Sequence, residues 1–215
     1  MRGVVAEAIA ALVSASGAPA VGAEALRGRW RLRFTTAPDV LALLGLERLS
    51  EIPGAGTVRV GDIDQVFDGD ASSGTVLNEA SFSIPPLVDS VTLRVRAQYA
   101  AAPSGRRLTL QFEEAAIVDA VPAPLVDTLL APPILLSRTG SLEAIARIRE
   151  GALRFPLIGA KSDEGALYPF LGGTREGERF PGPGYLLLYA DETCFVGRQT
   201  DGAAGDFVFQ KVADE

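Results

Sequence analysis

The chain has 215 residues, with 20 basic and 27 acidic side chains and a net charge of −7. That balance argues against nucleic acid as the main partner, because phosphate binding needs a basic surface. There is no histidine and only one cysteine, Cys194, which excludes His-activated nucleophiles, His-ligated zinc, Cys-rich metal sites and an intrachain disulfide.

Residues 2–15 predict a helix, with Val5, Ile9, Leu12 and Val13 on one face and Gly17 and Pro19 after its end. Arg2 followed by the run 4–13 has the outline of a signal peptide, but Glu7 interrupts it. The expectation is an amphipathic helix that packs on the domain, with any natural targeting segment missing from this chain. No apolar run reaches the roughly 20 residues needed to cross a bilayer as a helix.

Residues 29–35 form the clearest strand. Trp30, Leu32 and Phe34 alternate with Arg29, Arg31 and Arg33, the period-two pattern of a half-buried strand. Gly28, two residues before the only tryptophan, suits a sharp entry into a small barrel whose end the indole closes. Thr36 is expected to cap a short helix with Pro38 and Asp39 in its first turn. Val40, Leu41, Leu43, Leu44 and Leu46 make that helix apolar on most sides, so something must cover it.

Strands are expected within 57–67 and 74–84, with Asp68-Gly69-Asp70 as the turn between them and Pro85-Pro86 as a stop. Val91, Leu93, Val95, Ala97 and Tyr99 alternate with polar residues. After a loop at 101–105, Leu108, Leu110 and Phe112 do the same. Residues 121–133 carry several prolines around one short expected helix. Ser141 is expected to cap a helix over 142–149, and 159–184 reads as a long surface loop. Strands return at 185–189, 193–198 and 206–212, with turns at 190–192 and near 200–202. Many short antiparallel strands with few helices predict a mainly β protein, a closed or nearly closed antiparallel β-barrel with short accessory helices. The expected organisation is an N-terminal helix, 1–19, followed by a single barrel domain, 20–215.

Four segments carry a resemblance. They are Leu26-Arg27-Gly28-Arg29-Trp30-Arg31-Leu32-Arg33-Phe34-Thr35-Thr36, Val60-Gly61-Asp62-Ile63-Asp64-Gln65-Val66-Phe67, Thr75-Val76-Leu77-Asn78-Glu79-Ala80, and the ending from Leu188-Tyr189-Ala190-Asp191-Glu192 through Gly197-Arg198 to Phe207-Val208-Phe209. In this order the chain resembles the plastid lipid-associated protein family, also called plastid fibrillins. There are departures. Phe195 stands where members often carry a first arginine after the Asp-Glu turn, Arg198 keeps the second, Gln199 replaces a glycine, and Phe34 replaces a tyrosine. The resemblance implies a lipocalin-like barrel in plastids, at plastoglobules, thylakoids or in the stroma. It also implies non-catalytic binding of a prenylquinone, carotenoid or acyl lipid, or a scaffold role for an enzyme of prenylquinone synthesis.

The candidate ligand-binding residues are Trp30, Leu32, Phe34, Val95, Tyr99, Leu110, Phe112, Phe207 and Phe209 on the inward face, joined by Arg198. These side chains either fill the barrel or line a cavity. Arg198 is expected near Trp30, as a headgroup contact, a cation over the indole or a surface arginine. Arg29, Arg31 and Arg33 either grip anionic headgroups or pair with acids on a neighbouring strand. Asp62, Asp64, Asp68 and Asp70 lack the spacing of a helix-loop-helix calcium loop and read as strand-edge and turn residues. Glu113 and Glu114 are adjacent on a strand and so expected on opposite faces, which disfavours an acid–base pair. No catalytic residue, metal or cofactor is expected, and the partners are a hydrophobic small molecule, a membrane or plastoglobule surface, or a biosynthetic enzyme.

Overall fold

Alternating apolar and polar residues at period two build one antiparallel sheet, and a few short helices complete the fold. The computed structural model describes residues 2–15, 23–47, 57–124, 151, 153–156, 183–200 and 205–213. Helix α1 (Arg2–Ala15) and a 3₁₀ turn (Ala23–Leu26) lead to β1 (Gly28–Thr35) and helix α2 (Pro38–Leu44). The strands β2 (Arg59–Gly69), β3 (Ser73–Ile84), β4 (Val88–Ala101) and β5 (Arg107–Pro122) follow. The end of the chain supplies β6 (Leu153–Pro156), β7 (Gly184–Ala190), β8 (Cys194–Gln199) and β9 (Asp206–Lys211).

The strand order is β4-β3-β2-β1-β9-β8-β7-β5-β6, and β4 also pairs with β5. Pairing therefore runs round eight strands and returns to its start, with β6 as a branch on β5. The circuit depends on β1, which joins β2 through Trp30–Gln65 and β9 through Leu32–Phe209. β5 reaches β7 at Arg107–Leu186 and β6 at Ala115–Phe155. The four residues of β6 are a strand that the sequence reading missed.

Turn chemistry follows the carboxylates. Asp70 Oδ1 accepts from the backbone N–H groups of Ser72 and Ser73 at 2.7 and 2.9 Å, which closes the β2–β3 hairpin. This turn lies after Gly69, slightly later than expected. Asp191 does the same between β7 and β8, accepting from the N–H groups of Thr193 and Cys194 at 2.7 Å each. Helix α2 starts differently from expectation: its N-cap is Ala37, with no side-chain cap. The Thr36 hydroxyl accepts instead from the Asp206 N–H, which ties β1 to β9. Helix α1 packs against β7 and buries Ile9.

The core gathers Leu26, Trp30, Phe67, Val76, Ala97, Tyr99, Leu108, Leu110, Tyr185, Leu187, Phe195, Phe207 and Phe209. Several other readings fall outside the described residues: the helix at 142–149, most of the 159–184 loop, most of the expected helix within 121–133, and residues 201–204.

Candidate functional site

The site is the inner face of the sheet, and its two ends differ. At the lower end Gly28, with φ of 110°, turns the chain into β1 and places Trp30 inside. The indole is fully buried and its Nε1–H donates to the Leu26 carbonyl. Phe195 meets it edge-on at 5.1 Å and stacks on Phe209 at 4.6 Å, while Phe67 meets Tyr99 edge-on at 5.8 Å. These geometries are favourable for aromatic pairs and leave a filled interior here. Lys211 Nζ lies 5.1 Å from the indole centroid and supplies the cation over Trp30.

Beyond this cluster the inner face continues with smaller aliphatic side chains. Cross-strand partners share a face. Ile63 pairs with Ala80, Ala80 with Leu93, Asn78 with Val95, Val95 with Ala115, and Leu93 with Ile117. Ile63, Leu93 and Val95 are half-buried, and Ile117 is 36% exposed. Between the two ends a polar group crosses the interior. Gln65 Nε2 donates to Asn78 Oδ1 and to the Tyr185 hydroxyl, both at 2.7 Å.

Trp30, Tyr99, Leu110, Phe207 and Phe209 stand in the core as expected, with Leu32 and Phe112 packed against it. Val95 faces inward but lies beyond the core cluster. Two expected positions are corrected. A bulge between Leu32 and Phe34 resets the alternation, so Phe34 pairs with Val208 and Thr35 with Phe207. Phe34 therefore lies on the outer face and Thr35 is buried inside. Arg198 also points outward, since Phe195 and Gly197 take the inward positions of β8. Its Nε donates to Asp206 Oδ1 at 2.7 Å, and Lys211 occupies the place over Trp30.

The outer face holds a lattice of ion pairs. Arg29 bridges Asp64 and Glu79 at 2.9 Å each. Arg31 joins Asp62 at 2.7 Å and Asp64 at 2.9 Å, and Arg94 joins Glu79 at 2.7 Å. Cross-strand pairing is thus the role of Arg29 and Arg31. Arg33 donates to Gln210 Oε1 at 2.9 Å. Burial raises the Asp64 pKa, but hydrogen bonds from Arg31 and Arg29 outweigh it, and the carboxyl sits below its ordinary value.

Glu113 and Glu114 depart from the expectation of opposite faces. A bulge against Arg96 and Ala97 leaves both on the outer side, Glu113 bound to Arg96 at 3.1 Å and Glu114 to Arg154 at 2.9 Å. Half-buried Cys194 has its thiol pKa pushed up by burial and then by Asp191, which disfavours a reactive thiolate. Among the described residues no group of three or more His, Cys, Asp or Glu side chains is placed to hold a metal. Sequence reasoning missed Gln65, Asn78 and Tyr185 as a group. The available signal was polar residues on apolar parity, Gln65 between Ile63 and Phe67, and Asn78 between Val76 and Ala80.

These features define a mainly β protein with one antiparallel sheet around an apolar interior, crossed by one polar group. The PAP_fibrillin family model matches residues 1–163, and the chain belongs to that plastid fibrillin family. It is 31% identical over 215 residues to the probable plastid-lipid-associated protein 10, chloroplastic, of Arabidopsis thaliana, covering 98% of this chain and 68% of that protein. The family is generally structural and non-catalytic. No solved structure matches the chain.

Proposed function

We propose that this protein is a lipocalin-like barrel that binds a hydrophobic plastid lipid, a prenylquinone, carotenoid or acyl lipid, without catalysis. The observation that carries the reading is the unequal inner face. Aromatic packing fills one end, while half-buried Ile63, Leu93 and Val95 and exposed Ile117 continue the apolar face beyond it. Burial of ligand surface on these residues contributes about 25 cal/mol per Å² before ordering costs. The chloroplast relative supports a plastid location; plastoglobule or thylakoid surfaces are part of the proposal and rest on the family resemblance alone.

The test is mass spectrometry of organic extracts from protein purified under native conditions, followed by titration of the delipidated protein with a fluorescent fatty acid and a prenylquinone analogue. A co-purifying lipid and saturable binding are expected. Clean extracts and flat titrations would leave a filled scaffold. The second reading, recruitment of a biosynthetic enzyme, draws on Leu87 and Val121, which are 47% and 44% exposed near the β4–β5 end. Capture of a prenyl transferase that Leu87→Asp abolishes would favour it.

A further inference from the structure

Gln65 is an anomaly on the inner face. Its backbone pairs with Trp30 on one side and Asn78 on the other, so its side chain enters the interior. It is only 5% exposed. A buried primary amide offers two donor hydrogens and an acceptor oxygen. The Nε2 donors are used, by Asn78 Oδ1 and by the Tyr185 hydroxyl. The Oε1 acceptor has no hydrogen-bond partner among the described residues. A second amide oxygen, Gln199 Oε1, is buried without a partner as well, and Gln199 is the cross-strand neighbour of Tyr185.

A buried acceptor without a donor is costly, and native proteins seldom keep one without a use for it. Here the two donor bonds fix the amide across the interior, between the aromatic end and the aliphatic end. Nearby apolar side chains have no hydrogen to offer it. The partner that fits must bring an apolar body to the aliphatic wall and a hydrogen-bond donor to the amide.

We propose that Gln65 Oε1, with Gln199 Oε1 as a second acceptor, reads a hydroxyl on the bound lipid. The ligand class is a long-chain lipid ending in an alcohol or phenol, in preference to one whose polar end only accepts. This rests on the lipid-binding reading above and sharpens it. Gln65 is a specificity residue: it selects among lipids of equal apolar surface and leaves the burial energy to the aliphatic wall. Methylating the hydroxyl removes the donor, keeps the ring and tail, and strands the amide oxygen against an ether.

The experiment titrates delipidated protein with 4-dodecylphenol and with 4-dodecylanisole, in which a methyl group replaces that hydrogen. The phenol is expected to bind at least about tenfold more tightly, a difference of about 1.4 kcal/mol. In Gln65→Met the preference should collapse to about twofold, through loss of phenol affinity with anisole affinity retained. Melting curves check that the variant is folded. Gln199→Met should reduce the preference by a smaller factor. The comparison in the native protein needs no variant, so it decides the matter even where Gln65→Met fails to fold. Equal affinities for the two probes would assign Gln65 Oε1 to a buried water and overturn the hydroxyl reading while lipid binding stands. Tighter binding of the anisole would show that no buried acceptor reads the hydroxyl hydrogen, and would also overturn it. Failure of both probes to bind would sink the lipid-binding reading itself.

Discussion

The two ends of the inner face are made from the same strands and behave as different materials. At the lower end Trp30, Phe67, Phe195 and Phe209 meet edge to face or stacked and are 2% exposed or less. At the upper end β3, β4 and β5 present Ala80, Leu93, Val95, Ala115 and Ile117, a smoother surface of smaller side chains. The first end has satisfied its packing within the chain. The second retains apolar area that packing has not used. An inward residue is therefore not automatically a ligand contact: Trp30 and Phe209 are committed to the fold, and the apolar area that packing leaves open lies past Gln65.

Substitutions should separate the ends. Trp30→Ala empties a large aromatic site and should cost about 3–5 kcal/mol in urea unfolding. A near-native midpoint would place the indole outside the core. Asp64→Ala tests the outer wall behind both ends. It removes a 7%-exposed carboxylate shared by Arg29 and Arg31 and should cost about 1.5–3 kcal/mol, as for hydrogen bonds to charged groups. Leu93→Ala should cost only about 1 kcal/mol, because a half-buried side chain gains part of its transfer energy. Yet it should weaken lipid binding in titrations where a folded lower-end variant would not. A loss comparable to that of Trp30→Ala would erase the distinction between the two ends.

Smaller effects sharpen the picture at the margins. Lys211→Met keeps an apolar stem over the indole and removes the cation, and should cost about 0.5–1 kcal/mol. The least effect is a pH dependence at the β7–β8 turn. The hydrogen bond from the Tyr189 hydroxyl, with those from the Thr193 and Cys194 N–H groups, lowers the Asp191 pKa from 3.8 to about 2. A carboxyl with a depressed folded-state pKa stabilises the fold above its unfolded value. That contribution is lost as pH falls from about 4 through 2. The melting temperature of Asp191→Asn should fall less across that window than that of the native protein.

Much of the sheet was legible because alternation needs only local information. The strands around Trp30, Val76, Tyr99, Leu110 and Phe209 all stand where period two put them. The failures have physical causes. Bulges depend on both strands of a pair, so β1 alone could not show that Phe34 turns outward, nor β5 alone that Glu113 and Glu114 share a side. Of the roles open to Arg198 the surface arginine holds and the ligand contact does not, and β8 carried the clue: Phe195 and Arg198 are three apart, and a strand cannot point both inward. The polar crossing was hidden for another reason. Gln65, Asn78 and Tyr185 come from three strands, and only the closed circuit of pairings brings Tyr185 to Gln65.

That circuit closes between β1 and β9, where Leu32 meets Phe209. Nearly the whole chain separates the two residues. Pairings of such sequence separation form slowly, because loop-closure entropy is lost before any contact compensates. On a ribosome, β1 waits for its second neighbour until β9 has emerged. The sole tryptophan waits with it, since Phe195 and Lys211 arrive from the same late segment. Trp30 emission in a refolding experiment therefore times the joining of the two chain ends, and registers local β-structure scarcely at all.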